Sequence, residues 1–118
     1  MIQHELTASQ KEKYDRLLEH FTSNKNKILI EGGTSLGWGT ATAIQAGFEK
    51  IYTIELLKNL FEDAQKMFSN EIKTGKVIAV NGDTQTMLGE ILKEVNQPAT
   101  FWLDAHFGKK YKGEQPRC

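Results

Sequence analysis

Residues 27–47 decide the fold of this chain, and they read KILIEGGTSLGWGTATAIQAG. A short apolar run ends at Glu31, a loop of small residues follows, and helix-forming residues begin near Trp38. A strand that leads through glycines into the start of a helix builds a nucleotide-sized pocket in α/β sheets. The glycines let the backbone approach a ligand, and the free N–H groups of the first helical turn point at it. This stretch therefore predicts a small-molecule site at the carboxyl end of a strand.

A second apolar run, residues 51–54, ends in Glu55, which lies 22 residues after Gly33. That spacing is one loop–helix–strand crossover, so a doubly wound sheet places the Glu55 carboxylate beside the first loop, where it can accept both hydrogen bonds of a ribose diol. A dinucleotide-binding G-x-G-x-x-G pattern needs glycine where this chain has Ser35, so a nicotinamide dinucleotide enzyme is the weaker alternative. The alternative without a functional role is that Glu31 and Glu55 are solvated acids at strand ends.

Written as acid-x-G-x-S-x-G, the loop formed by Glu31, Gly33, Ser35 and Gly37 resembles motif I of the class I S-adenosylmethionine-dependent methyltransferases. The usual form of that motif has glycine where Ser35 stands, and a small polar residue is a common replacement in O-methyltransferase-like branches. S-adenosylmethionine carries a sulfonium and an ammonium and no phosphate, so an acidic loop suits it and would repel a pyrophosphate. The resemblance covers roughly residues 27–107.

The resemblance implies a role for each residue of this region. The loop backbone would contact the amino-acid end of the cofactor, with Glu31 near its ammonium and Glu55 on the ribose. The pair Gly82-Asp83 resembles the position whose acid contacts the adenine amino group, although Asp83 or Thr84 could instead only cap the next helix. Trp38 would flank the adenine, or else pack in the interior. The implied cofactor-binding residues are Glu31, Gly33, Thr34, Ser35, Gly37, Trp38, Glu55, Asp83 and Thr84.

A further apolar run, residues 99–103, ends in Asp104-Ala105-His106, which resembles motif IV of the same family. The resemblance implies two catalytic residues: Asp104 would orient the acceptor or a divalent cation, and neutral His106 is the candidate general base near physiological pH. As a metal site, with Asp104 as ligand, the pair is incomplete, because a cation needs further ligands. The alternative is an acid satisfied by backbone donors and a histidine in a loop.

Apolar runs of strand length alternate with helical patterns along the chain, which calls for right-handed crossovers and a parallel sheet. The fold class that the resemblance implies is α/β: a doubly wound, mostly parallel, Rossmann-like methyltransferase sheet truncated to about four strands in the order 3-2-1-4. The predicted helices span 8–22, 38–46, 57–69 and 85–95, and the predicted strands span 27–31, 50–55, 76–80 and 99–103. One domain over 1–118 is expected, with a helix and linker over 1–26, an α/β core over 27–107 and a polar tail over 108–118.

Composition excludes several partner classes. Lys and Arg together number 15, as do Asp and Glu, so no charge excess recommends nucleic acid or an anionic membrane. No apolar run approaches the roughly 18 residues of a spanning helix, and the N-terminus lacks the features of a signal peptide. The single cysteine, Cys118, fits a reducing compartment, so the expected location is cytoplasmic.

The predicted strand order leaves the fourth strand as an apolar edge with unpaired backbone groups, which is an association hazard. We expect this edge to pair with a second copy, to be capped by the tail, or to continue in a longer chain. The leading functional hypothesis is methyl transfer from S-adenosylmethionine to an oxygen or nitrogen of a small molecule. The alternative is a non-catalytic module that binds the cofactor or a nucleoside, or only assembles, without an acceptor site.

Overall fold

A computed structural model describes residues 6–23 and 26–103 of the chain. The strands are β1 (Ile28–Gly32), β2 (Lys50–Glu55), β3 (Val77–Asn81) and β4 (Ala99–Leu103). The helices are α1 (Ala8–Ser23), α2 (Trp38–Ala46), α3 (Lys58–Met67), α4 (Ser69–Thr74) and α5 (Thr84–Glu94). The strands form one parallel sheet in the order β3-β2-β1-β4. The predicted fold class and strand order are therefore confirmed.

Two helix starts follow the chemistry that the sequence indicates. At α1, the Thr7 N–H donates to Oε1 of Gln10 at 2.9 Å and the Gln10 N–H donates to Oγ1 of Thr7 at 3.2 Å, which is a reciprocal capping box. At α5, Oδ2 of Asp83 accepts the Thr86 N–H at 3.1 Å. Asp83, rather than Thr84, is therefore the N-cap of α5.

The region after β2 differs from the single helix predicted over 57–69. The helix changes direction at Phe68, whose φ is −109°, and continues as the short α4. Phe68 is buried and Ile72 packs against the core, so the break keeps apolar residues of both helices on the sheet. Gly75 ends α4 in the left-handed region, with φ at 86°.

The sheet has an apolar cluster on each face, because alternate strand residues point to opposite sides. The cluster under α1 and α2 contains Leu17, Phe21, Leu29, Ala43, Phe48, Ile51 and Val77. The cluster under α5 contains Ile28, Ile30, Tyr52, Ile54 and Ile91. Phe21 joins α1 to the sheet, since its fully buried ring packs edge-on against Phe48 at 5.4 Å and against Trp102 at 6.3 Å. These ring contacts fix α1 to the same face of the sheet as α2.

Strand β4 lies at one edge of the sheet, as expected, and its α5-side residues are poorly covered. Phe101 is 46% exposed and Leu103 is 38% exposed, although neither carries a polar group. Phe101 stands opposite Ile30 and Leu103 opposite Gly32 in the β1–β4 register. Within the described ranges, no helix combines the length and apolar content that crossing a membrane requires.

The two phenylalanines should respond very differently to truncation. Phe21→Ala should lower the free energy of unfolding by about 3–5 kcal/mol, because it empties a fully buried site. Phe101→Ala should cost roughly 1 kcal/mol or less, since nearly half of that ring is already in water. Urea unfolding followed by circular dichroism measures the free energy of unfolding of both variants. If Phe21→Ala no longer unfolds cooperatively, that result also shows the expected large destabilisation. Equal costs for the two variants would contradict this packing.

Candidate functional site

The four strands bring the predicted functional residues to a single edge of the sheet. In the parallel register, Gly32 at the end of β1 pairs with Ile54 of β2 and with Leu103 of β4. Glu55 at the end of β2 pairs with Asn81 at the end of β3. The loop after β1, the carboxylate after β2 and the turn before α5 therefore meet at the carboxyl ends of the strands, where open α/β sheets bind ligands.

The loop between β1 and α2, residues 33–37, adopts a conformation that needs small residues. Gly33, Ser35 and Gly37 have φ values of 97°, 52° and 96°, all in the left-handed region. The Gly37 N–H donates to the Thr34 carbonyl at 2.9 Å, which closes a tight turn. Among the described residues, Ser35 is the non-glycine residue with positive φ. This backbone conformation costs an L residue roughly 1–2 kcal/mol. The motif-I position where glycine is usual thus has a backbone that suits glycine.

Glu55 lies against this loop, as the spacing predicts. Its Oε1 accepts the Ser35 N–H at 2.6 Å, and its Oε2 accepts the Leu57 N–H at 3.0 Å. The side chain is buried, with 7% of the residue exposed. A carboxylate offers about four lone-pair sites, so each oxygen keeps the capacity to accept one further hydrogen bond. Glu55 therefore joins the loop to the start of α3 and remains able to bind hydroxyl groups.

The backbone of Glu55 is held by the turn after β3. The Gly82 N–H donates to the Glu55 carbonyl at 3.0 Å. The side-chain amide of Asn81 donates to the Glu55 carbonyl at 2.8 Å and to the Leu56 carbonyl at 3.2 Å. Sequence reasoning missed Asn81, because a single asparagine after a strand has no distinctive pattern.

Glu31 occupies the interior below the loop, and only 1% of it is exposed. Its Oε1 accepts the hydroxyl of Thr40, on α2, at 2.5 Å and the hydroxyl of Thr53, on β2, at 2.7 Å. A Cβ atom built on Gly39 would overlap Oε2 of Glu31, so the first turn of α2 rests directly on the carboxylate. Glu31 is thus an internal acid that joins β1, β2 and α2, rather than a solvated acid at a strand end.

Three hydroxyl groups, which we call the threonine cluster (Thr34, Thr40 and Thr53), surround the Glu31 carboxylate. Thr34 Oγ1 lies 2.5 Å from Thr53 Oγ1, and the Thr40 hydroxyl lies 3.2 Å from Thr53 Oγ1. All three residues are buried. Sequence reasoning named Thr34 but missed Thr40 and Thr53. The available signal was Thr53, a polar residue in an apolar strand that stands opposite Glu31 in the β1–β2 register.

The two residues predicted to lie near the adenine, Asp83 and Thr84, also have structural roles. Asp83 caps α5 through Oδ2, as described above. Thr84 is 7% exposed, and a Cβ built on Gly32 would lie 2.7 Å from its Cγ2, so Thr84 fills the space that this glycine leaves. Neither role excludes contact with a ligand, and the predicted cofactor contacts of both residues stay predictions.

Trp38, the first residue of α2, packs against α1. Its ring centroid lies 6.3 Å from that of Tyr14, with the ring planes tilted by 34°. Both rings line a cleft of about 460 Å³ between the two helices. The indole Nε1 is buried and has no hydrogen-bond partner among the described residues. The side chain therefore contributes to helix packing, and its predicted contact with adenine stays a prediction.

The predicted catalytic residues Asp104 and His106 lie outside the described ranges, immediately after β4. Within residues 6–23 and 26–103, no group of three or more His, Cys, Asp or Glu side chains is placed to hold a metal ion. The divalent cation and its proposed ligand Asp104 therefore have no support from the described part of the chain.

Comparison with known proteins identifies the fold. The chain superimposes on the O-methyltransferase of Bacillus cereus, solved in complex with SAH, with a TM-score of 0.66 and 18% identity over 92% of this chain and 50% of that one. It superimposes on the O-methyltransferase TomG of Streptomyces achromogenes, involved in tomaymycin synthesis and solved with SAM, with a TM-score of 0.62 and 18% identity over 90% and 48% of the two chains.

A third similar structure, from Pyrococcus horikoshii, is provisionally classed as an RNA methyltransferase, with a TM-score of 0.63 and 17% identity over 93% of this chain and 52% of that one. No protein-family model and no curated protein matches this sequence. The chain therefore has the Rossmann-like fold of the class I methyltransferases and spans about half the length of these neighbours.

The contact between Gly39 and Glu31 can be tested with a matched pair of helix glycines. Gly89→Ala, in α5, should raise the free energy of unfolding by roughly 0.5–1 kcal/mol, because nothing lies within 4 Å of the added Cβ. Gly39→Ala should lower it by about 1–3 kcal/mol, because the new Cβ displaces the Glu31 carboxylate from its two hydroxyl donors. Urea unfolding measures both changes.

Adding Glu31→Ala should make Gly39→Ala less harmful, because the overlapping atoms are gone. If Gly39→Ala stabilises the wild-type chain as much as Gly89→Ala does, the position assigned to the Glu31 carboxylate is wrong.

Proposed function

We propose that this chain binds S-adenosylmethionine at the loop of residues 33–37 and forms the cofactor-binding part of a methyltransferase that acts on an oxygen or nitrogen of a small molecule. The observation that carries the proposal is the Glu55 carboxylate, which is fixed against this loop by the Ser35 N–H at 2.6 Å. An adenosyl group can be bound by a buried acid that has spare acceptor capacity. Here that acid lies beside a left-handed glycine turn at the carboxyl end of a strand, where such ligands bind.

The charges of the site support this cofactor over a dinucleotide. Two carboxyl groups, those of Glu55 and Asp83, lie at this edge of the sheet, and a third, that of Glu31, lies buried beneath the loop. Acidic groups attract a sulfonium and an ammonium and repel a pyrophosphate. S-adenosylmethionine has both cationic groups and no phosphate, whereas a nicotinamide dinucleotide has a pyrophosphate. The fold of the neighbours solved with SAH and SAM points in the same direction.

In the proposed mechanism the chain mainly positions the reactants. When bound, the cofactor supplies an electrophilic methyl group on a sulfonium. Glu55 accepts hydrogen bonds from the ribose hydroxyls, and Asp83, whose Oδ2 caps α5, offers Oδ1 to the adenine amino group. The turn at Gly33 and Gly37 lets the loop backbone approach the amino-acid end closely. Correct placement of reactants is itself a large part of the catalysis of such a transfer.

The acceptor side of the proposal depends on the segment after β4. There we assign Asp104 to orientation of the acceptor and His106 to removal of its proton. A small-molecule acceptor suits the balanced charge of the chain better than a nucleic acid does, because phosphate-binding surfaces carry an excess of Lys and Arg.

The competing proposal is a non-catalytic module that binds the cofactor or its product. In that alternative, the loop of residues 33–37 binds the adenosyl group and no methyl group is transferred. Calorimetric titration with S-adenosylmethionine, S-adenosylhomocysteine and a nicotinamide dinucleotide, followed by a product assay on pooled metabolites, separates the alternatives. Binding without turnover supports the module, and preferential binding of the dinucleotide contradicts both proposals.

The ribose contact of Glu55 predicts a loss of discrimination between two ligands. The wild-type protein should bind adenosine roughly 10-fold or more tightly than 2′-deoxyadenosine, because a hydrogen bond to a charged group contributes about 1.5–3 kcal/mol. Glu55→Ala should bind both nucleosides weakly and nearly equally. Calorimetry of both ligands with both proteins measures this coupling.

Glu49→Ala is the matched control, because Glu49 is an exposed acid just before the opposite end of β2. It should keep the preference for adenosine. A Glu55→Ala protein that still discriminates between the two nucleosides would show that this carboxylate does not hold the ribose.

We also propose that β4 pairs with β4 of a second copy. Its exposed residues Phe101 and Leu103 are apolar, and the described sheet ends at this strand. Light scattering after size-exclusion chromatography should give about twice the chain mass of 13.4 kDa. Phe101→Lys should give the single-chain mass, because charge on an edge strand opposes pairing. A well-behaved wild-type monomer would contradict the pairing.

A further inference from the structure

We infer that Thr53 is a positioning residue for the cofactor loop: its buried hydroxyl holds the turn at Thr34 and Ser35 in the binding conformation without touching the ligand. This inference rests on the proposed function, because the loop matters only if it binds the cofactor. It concerns a side chain in the middle of β2, two residues before Glu55 and on the same face of the strand.

Thr53 is the centre of the threonine cluster. It is 1% exposed, and its Oγ1 lies 2.7 Å from Oε1 of Glu31, 2.5 Å from Oγ1 of Thr34 and 3.2 Å from Oγ1 of Thr40. One hydroxyl therefore contacts side chains from β1, from the loop and from α2.

The direction of the hydrogen bonds follows from the number of protons. A threonine hydroxyl has one proton and two lone pairs, whereas an ionised carboxylate only accepts. Thr40 and Thr53 therefore each donate their one proton to Glu31, which leaves the lone pairs of Thr53 free to accept from Thr34. Thr34 in turn donates to Thr53. The Glu31 carboxylate thus orients Thr53, and Thr53 orients the loop residue Thr34.

The loop is held to β2 at three consecutive residues, and the first of them, Gly33, donates its N–H to the Ile54 carbonyl at 2.8 Å. Thr34 is bound through its side chain to Thr53 and through its N–H to the Ile54 carbonyl at 3.1 Å. Ser35, the next residue, is bound through its N–H to Glu55 at 2.6 Å. Between these contacts the backbone of Ser35 is at a φ of 52°, which a serine keeps only when its surroundings enforce it.

Loss of the Thr53 hydroxyl should therefore release Ser35 toward negative φ and turn its N–H away from Glu55. The loop would then adopt its binding-competent conformation for only a fraction of the time. The apparent affinity for the ligand would equal the intrinsic affinity multiplied by that fraction. The effect reaches the ligand through the loop, although Thr53 itself lies beneath it.

The test compares Thr53→Val, which keeps the shape and removes the hydroxyl, with Thr53→Ser, which keeps the hydroxyl. Calorimetry with S-adenosylhomocysteine, at a temperature where every variant is folded, should show an affinity roughly 5-fold to 20-fold weaker for Thr53→Val. The affinity of Thr53→Ser should stay within about 2-fold of wild type, because its hydroxyl can still hold the loop in the binding conformation.

Ile91→Val is the control for general destabilisation, because Ile91 is a buried residue of α5, which packs on the opposite face of the sheet. It should lower the melting temperature and leave the affinity unchanged. Ser35→Gly provides a second, specific check. Glycine adopts positive φ without a steric penalty, so Ser35→Gly should recover most of the affinity that Thr53→Val loses.

A readout without ligand completes the design. Hydrogen exchange of the Ser35 amide in the free protein should be faster in Thr53→Val than in wild type. Unchanged affinity in Thr53→Val, or an equal loss in Ile91→Val, would overturn the inference and leave the proposed function standing. A wild-type protein that does not bind S-adenosylhomocysteine would instead overturn the proposed function, and the role of Thr53 in binding with it.

Discussion

The attachment of the loop of residues 33–37 to β2 is the constraint on which the whole site depends. The parallel β1–β2 register puts Glu31 opposite Thr53 and leaves Glu55 one step beyond the end of β1. From those positions two carboxylates act on one turn, Glu31 from below through the threonine cluster and Glu55 from the rim through the Ser35 N–H. A shift of β2 by one residue would turn Thr53 and Glu55 to the other face of the sheet and away from the loop.

Glu31 and Glu55 have different roles because their surroundings differ. Glu31 is enclosed by hydroxyl donors and by the first turn of α2, so its contribution is to hold elements together. Glu55 accepts one backbone N–H on each carboxylate oxygen and keeps acceptor capacity at the rim. A buried carboxylate needs such donors, because an unsatisfied one is strongly destabilising. The site therefore combines an internal support with an outer binding group.

Much of this arrangement could be predicted from the sequence, because it depends on period and spacing. Alternating strand and helix patterns predicted a parallel α/β sheet, and the resemblance to the class I methyltransferases implied its strand order. The spacing from Gly33 to Glu55 placed that acid beside the loop. The burial of Glu31 and the partnership of Thr40 with Thr53 could not be predicted, since they depend on strand register and on how closely α2 approaches at Gly39. The break at Phe68 was also missed, because packing of Ile72 on the core decides it.

The central claim is that the carboxyl edge formed by β1, β2 and β3 binds the adenosyl cofactor. Backbone amide chemical shifts recorded during titration with S-adenosylhomocysteine test it most directly. The account predicts that the largest changes fall on residues 33–38, on Leu57, and on Asp83 with Thr84. Changes concentrated at the opposite edge of the sheet, near Lys50 and Gln97, or no saturable change at all, would contradict it.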